Sequence, residues 1–320
     1  MFVTRRRLVA SSAAWLASGA ASAAKPRPFF RGHHLPIGLQ LYSVAAELRR
    51  DLDGTLKAVA AIGYRPVETA GYAGRTPAEL RAAFDAHGLS CASAHVQPRP
   101  SGPEPALNGD LGRLATDMHT LGAREVVMPT FLFPERLSLT PLPGEGLGPM
   151  LARLSAQLTV DDWKVTAAFL NQVGAGLKRE GLQLAYHNHN PEFAPLGEGT
   201  AFDLLLRETD PALVQFEMDA GWVVAAGRDP VALLKAHAGR FRMMHVKDVT
   251  ASTQPNFAFQ VQTTAVGSGV IDWRRLLAAA YDEGVRAFFV EHEPPFTRPV
   301  LETLRTSFDN LTAMSAGRRA

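Results

Sequence analysis

The chain has 320 residues, of which 46% are hydrophobic and 20% charged, with a formal net charge of +2. These figures suit one large domain with a full core and carry no electrostatic sign of nucleic-acid binding. The single cysteine, Cys91, excludes an internal disulfide and an all-cysteine metal site.

At the N-terminus, Thr4-Arg5-Arg6-Arg7-Leu8 precedes an alanine-rich apolar segment, Val9 to Ala20, and the small-residue pattern Ala21-Ser22-Ala23. This order predicts a twin-arginine signal peptide over residues 1–23, cleaved before Ala24. The apolar segment is shorter than the roughly 20 residues a membrane-spanning helix needs. The expected course is export through the twin-arginine (Tat) translocase to the periplasm or beyond, with no stable membrane insertion after cleavage. Residues 24–35, with Pro26, Pro28, Arg31, His33 and His34, read as a solvated linker.

From Pro36 onward, short apolar runs alternate with helical patterns. Ile37 to Val44 is the first run, followed by a helix over Leu52 to Ile62 that Gly63 closes. Val67 to Ala70 is the second; its helix opens on Thr76-Pro77-Ala78-Glu79, which places an N-cap, a first-turn proline and a capping-box glutamate in order. Leu89 to Val96 is the third run, with a helix ending near Leu121-Gly122, and Glu125 to Met128 is the fourth. The segment from Thr130 to Gly148 contains Pro134, Pro141, Pro143, Gly144, Gly146 and Gly148, so it is read as a long βα loop, a lid or a wall of a site. Helices over Met150 to Leu158 and Asp161 to Glu180 follow. The last four runs are Leu182 to Tyr186, Val214 to Met218, Phe241 to Met244 and Ala287 to Val290, with helices near Ala201 to Arg207, Pro230 to His237, Asp272 to Glu283 and Arg298 to Met314.

Eight strand-helix units predict an α/β fold, a single-domain (β/α)8 TIM barrel over residues 36–315, since right-handed crossovers between parallel strands close into a ring at this number. An open doubly wound sheet would place a glycine-rich phosphate loop after its first strand, and Gly38-Leu39-Gln40-Leu41-Tyr42 has none.

In such a barrel the chemistry sits beyond the carboxyl ends of the strands. There the sequence offers Gln40 and Tyr42, Glu68, His95, Met128-Pro129, His187 and His189, Asp219 with Trp222, His245 with Lys247, and Glu291 with Glu293. Because side chains alternate along a strand, His187 shares a face with His189, and His245 with Lys247. Histidine and carboxylate together, without thiolate, suit one divalent ion such as Mn, Mg, Co or Zn. Its task would be to polarise an oxygen and stabilise enediolate-like charge.

The motifs Ile37-Gly38-Leu39-Gln40-Leu41-Tyr42-Ser43, Gly63-Tyr64-Arg65-Pro66-Val67-Glu68, Tyr186-His187-Asn188-His189, Glu217-Met218-Asp219-Ala220-Gly221-Trp222 and His245-Val246-Lys247-Asp248 together resemble the sugar phosphate isomerase/epimerase family of xylose isomerase-like barrels. The resemblance covers nearly all of residues 36–315. It implies a mononuclear metal held at the ends of strands five to eight by His187, Asp219, His245 and Glu291. Many epimerases of the group place a glutamate at the strand-five position; this chain has His187 there, with Glu192 nearby as a substitute ligand, which puts a two-glutamate mechanism in doubt.

The remaining candidates are Glu291, Lys247 and His189 for proton transfer, and Gln40, Tyr42, Glu68, His95 and Trp222 for binding a carbohydrate substrate. A lysine beside a divalent ion is expected to have a depressed pKa, the alternative being a salt bridge to Asp248. Three functions stay open: a sugar or polyol isomerase or epimerase, a lyase or dehydratase of 3-keto-glycosides or inosose-like polyols, and a non-catalytic sugar-binding barrel. The fold is shared with DNA repair endonucleases, against which the near-neutral charge argues. Export and the lack of a phosphate-binding loop favour an unphosphorylated substrate. No feature of the sequence specifies an oligomer.

Overall fold

A computed structural model describes residues 28–100 and 102–315. The predicted signal, residues 1–23, and the start of the linker lie outside the described residues.

The strands are β1 Gly38–Gln40, β2 Pro66–Ala70, β3 Ser90–His95, β4 Glu125–Met128, β5 Gln183–His187, β6 Val214–Asp219, β7 Phe241–Val246 and β8 Ala287–Val290. They pair in chain order, all parallel, and β8 pairs with β1 to close the barrel. The closed (β/α)8 barrel is therefore the fold. Helices alternate with the strands because each amphipathic segment between them has one apolar stripe to bury. Their starts are fixed locally: Thr76 and Glu79 bond reciprocally at the head of helix Pro77–Ala86, and Thr159 with Asp162 and Thr200 with Asp203 do the same for Val160–Arg179 and Ala201–Glu208.

Two segments depart from the expectation. The first apolar run is extended only to Gln40, whose side chain accepts a hydrogen bond from the Tyr42 N–H at 3.0 Å; Leu41–Val44 then turns as a 3-10 helix. The strand ends because Gln40 caps the turn that follows it. The expected solvated linker is in part structured: Phe29–His33 forms a short helix with Phe29 and Phe30 buried. Phe29 meets Phe288 and Tyr281 edge-on, its N–H bonds to the Met314 carbonyl at 2.8 Å, and His33 lies over Tyr281. The prolines and charges of the segment suggested a tether, but two adjacent phenylalanines gain more from burial than from solvent.

Inside the barrel, Val127, Ala185, Met243 and Phe289 form a small buried cluster of their own, separate from the larger core between barrel and helices. This cluster fills the interior and makes a floor. Among the described residues no helix is long and apolar enough to cross a membrane.

Candidate metal centre

The period of two along a strand builds the site directly on this floor. Two residues beyond Ala185, Met243 and Phe289 stand His187, His245 and Glu291, all buried. Register brings in the neighbours: Glu217 lies beside His187, Asp219 beside His245, and Glu68 beside both Gln40 and Ser93.

The lower part of this layer is a continuous hydrogen-bonded ring. Glu68 accepts from Gln40 Nε2 at 2.7 Å and from Ser93 Oγ at 2.5 Å, and it lies 2.7 Å from His245 Nε2 and 3.0 Å from His95 Nε2. Glu217 Oε2 lies 3.0 Å from His187 Nδ1, 3.1 Å from His245 Nε2 and 3.2 Å from His95 Nε2. Burial raises the carboxyl of Glu217, as does the charge of Glu68, but the imidazoles of His245 and His187 outweigh both and hold it at about 2. Glu217 is thus an ionised acceptor, and His187 Nδ1 must carry the proton it receives. The same logic makes His245 Nε2 a donor. Each histidine therefore turns its other nitrogen away from the ring.

Those nitrogens face the carboxylates above. His187 Nε2 is 3.8 Å from Asp219 Oδ2; His245 Nδ1 is 3.7 Å from Asp219 Oδ2 and 2.9 Å from Glu291 Oε2. One ligand atom each from Asp219, His245 and Glu291 lies within 4.8 Å of the others, and the same holds for His95, His187, Glu217 and His245. Of the four residues expected to hold the ion, Asp219, His245 and Glu291 are brought together, whereas His187 falls in the second grouping, which shares His245, and approaches the first through Asp219 at 3.8 Å.

Lys247 is fully buried among the upper carboxylates, 2.6 Å from Asp219 Oδ2 and 2.7 Å from Glu291 Oε2, and is also bonded to Glu293. Its stem runs over Gly221, where a Cβ would come within 2.8 Å of Lys247 Cγ. Burial lowers the ammonium pKa, but Asp219, Glu291 and Glu293 outweigh it and hold it well above its usual value. The depression expected beside a bound divalent ion concerns the occupied site; the alternative partner, Asp248, is corrected, since three carboxylates surround the ammonium and Asp248 accepts backbone N–H groups elsewhere. Asp219 Oδ2 is ion-paired with Lys247 but accepts no hydrogen bond, and Glu217 Oε1 accepts none.

Several predicted residues take other positions. Gln40 and Glu68 direct their polar atoms at each other, the Tyr42 N–H, Ser93 and the histidines, so they brace the ring. His95 bridges Glu68 and Glu217; burial lowers its pKa, but these two carboxylates hold it at about 9. Tyr42 is 45% exposed. Glu192 accepts hydrogen bonds from Tyr186 Oη at 2.9 Å and the His189 N–H at 3.0 Å, and it is not among the converging ligand groups. His189 is beyond the end of β5, with its ring 4.9 Å from that of His187. Burial and then the charge of Lys247 lower its pKa to about 3, so it is neutral. Glu217 was absent from the predicted set; its place two residues before Asp219 in one strand was the available signal, masked by the apolar residues around it.

Residues 56–313 match the xylose isomerase-like TIM barrel family. The chain belongs to this family. Inosose dehydratase of Geobacillus thermodenitrificans is 29% identical over 158 residues, 44% of this chain and 51% of that protein, so the chain spans about half the length of that relative. A sugar phosphate isomerase/epimerase of Parabacteroides distasonis superposes with a TM-score of 0.66 at 26% identity, over 87% of this chain and 97% of that one. The 3-keto-D-glucoside 4-epimerase of E. coli shares the fold, with a TM-score of 0.57 at 15% identity over 87% and 98%. In this xylose isomerase-like barrel the strand-five histidine is locked by Glu217 through Nδ1, which leaves only Nε2 for the site.

Proposed function

We propose that the protein is a metal-dependent isomerase or epimerase that moves a proton next to the carbonyl of an unphosphorylated sugar or polyol. The observation that carries this reading is the convergence of Asp219 Oδ2, His245 Nδ1 and Glu291 Oε2 beside the buried Lys247, with His187 Nε2 3.8 Å from Asp219 Oδ2. The donor set fits one divalent ion, Mn, Mg, Co or Zn: Asp219 Oδ2 lacks a hydrogen bond, and five carboxyl side chains, Glu68, Glu217, Asp219, Glu291 and Glu293, face the cations of the site. When bound, the ion supplies Lewis-acid stabilisation of negative charge on a substrate oxygen.

The side chains do the rest. Lys247 and His245 hold the Glu291 carboxyl well below its usual value against the opposing effect of burial, so it is ionised and able to accept a proton. Lys247, with three donors, returns a proton or holds an oxyanion. His189, neutral with Nδ1 unbonded, is the alternative partner of Glu291 in proton transfer. Glu68 and Glu217 hold the histidines in orientation, and Gln40 holds Glu68.

A second reading is favoured by one observation. His187 donates from Nδ1 to Glu217, which leaves Nε2 as its one basic nitrogen, and with that nitrogen given to an ion the strand-five position would offer no free base. A single base, Glu291, with Lys247 assisting a leaving group, suits a dehydratase or lyase acting on a keto-sugar or inosose-like ring, and the match to inosose dehydratase supports it.

The two readings separate in heavy water. With candidate sugars and keto-glycosides followed by NMR, an isomerase places deuterium beside the carbonyl and leaves the skeleton intact, whereas a lyase gives an unsaturated product or free aglycone. Glu291→Gln is expected to lower the rate on the order of a hundredfold or more; a variant that keeps its metal and its full rate contradicts the role. Export by the twin-arginine route belongs to the same proposal. Changing Arg5 and Arg6 to lysine is expected to retain the uncleaved chain in the cytoplasm, and unchanged export counts against it.

A further inference from the structure

Asp219 Oδ2 is the atom on which the centre closes. It lies 3.8 Å from His187 Nε2, 3.7 Å from His245 Nδ1 and 2.6 Å from Lys247 Nζ. The other carboxylate oxygen, Oδ1, accepts the Trp222 N–H at 3.0 Å and so caps the helix Ala220–Ala225. Oδ2 is thereby left as the oxygen that faces the centre, and its place depends on the backbone from which it hangs.

That backbone stands where the sheet loses a neighbour. His187 is the last residue of β5 and pairs with Glu217, while β6 runs two residues further, to Asp219. What meets the Asp219 N–H and C=O on this side is a side chain. Asn188, fully buried, accepts the N–H through Oδ1 at 3.1 Å and donates from Nδ2 to the carbonyl at 3.4 Å. An asparagine amide carries an acceptor and a donor as a peptide unit does, so Asn188 continues the ladder that the backbone of β5 has left. Without it, a buried N–H and C=O of the Asp219 backbone lose their partners, a state that folded chains seldom tolerate.

Asn190, two residues on and also fully buried, makes a set of bonds as dense as this one but ending elsewhere. It donates to the Asn256 carbonyl at 2.9 Å and Asn256 Oδ1 at 2.7 Å, and accepts the Phe259 N–H at 3.1 Å. These bonds organise the loop between the short strands Asp248–Val249 and Thr263–Thr264, and none of them reaches a residue of the metal centre.

We infer that Asn188 is a positioning residue of the metal centre: by clamping the Asp219 backbone it sets where Oδ2 stands, and so how firmly an ion is held. The inference rests on the proposed function in taking Asp219 as a metal ligand. Asn190 holds a loop and has no part in this.

The purified full chain, reconstituted with cobalt(II), tests this through two readouts independent of turnover, the cobalt dissociation constant and the visible absorption of the bound ion. Asn188→Ala is expected to weaken cobalt binding at least about tenfold, the scale on which residues behind a ligand act, and to shift the absorption band. Asn190→Ala is expected to lower thermal stability while keeping both the affinity and the band. Asn188→Thr, close to asparagine in volume but too short to span both backbone groups, carries the test with the same expected loss should the alanine variant fail to fold. Wild-type affinity and band in either folded Asn188 variant overturn the positioning role and leave the metal centre standing. An equal loss in Asn190→Ala also overturns it, because any loosening of the segment would then have the same effect. A wild-type chain that binds no cobalt overturns the metal centre and the inference together.

Discussion

Each imidazole of the centre is aimed by the carboxylate behind it, which is why Glu217, unremarked among apolar neighbours in the sequence, matters as much as the predicted ligands. His187, Asp219, His245 and Glu291 were legible because each ends an apolar run with a group that has no packing reason to be there. Glu217 was not, since its pairing with His187 depends on strand register that only the closed barrel sets. Glu192 was legible as an acid but not in its place. It is fully buried beside Tyr186, and burial raises its pKa to about 7. The unfolded chain gives up this proton near the ordinary glutamate value, whereas the folded chain keeps it to about 7. Stability therefore falls as pH rises through that window and the loss stays in place above it, by up to roughly 3 kcal/mol. Glu192→Gln is expected to remove this slope. Urea denaturation of both proteins at pH 5 and pH 8 measures it, and parallel pH dependences would contradict the assignment.

At the scale of elements, helices were readable from their caps and periodicity, as with Thr76 and Glu79, because those signals are local. Loops were not, since their order comes from distant partners. The loop around Phe259 is organised by Asn190, far away in sequence, and the first strand ends early because Gln40 reaches Tyr42. Asp248 shows the same principle. Its carboxylate accepts N–H groups of Val249 at 2.9 Å, Gly267 at 2.8 Å, Gly269 at 3.0 Å and Ile271 at 3.3 Å, tying residues 267–271 to the segment after β7. At Gly269 a Cβ would fall 2.2 Å from Asp248 Oδ1, so the loop closes tightly on the side chain. Asp248→Ala leaves these donors unpaired, and a destabilisation of about 3 kcal/mol or more is expected. Thermal or denaturant unfolding reads it; a change below about 1 kcal/mol would mean that the loop finds other acceptors.

For the whole molecule, the alternation of strand and helix predicted the closed barrel, and the barrel explains the site: an apolar floor, a ring of orienting hydrogen bonds, then the ligand set, stacked two residues apart along the strands. What periodicity could not reveal was the role of Phe29 and Phe30, a single apolar pair within a polar segment, buried because the outer layer of the barrel leaves a place for them. The surplus of buried carboxylates over cations at the mouth is the feature that the account of function depends on most. Its direct test is elemental analysis of the purified protein after reconstitution, with Asp219→Ala and His245→Ala beside it. About one divalent ion per wild-type chain, lost in both folded variants, is the result expected. A wild-type chain that stays metal-free, or variants that keep the ion, would contradict the proposed centre.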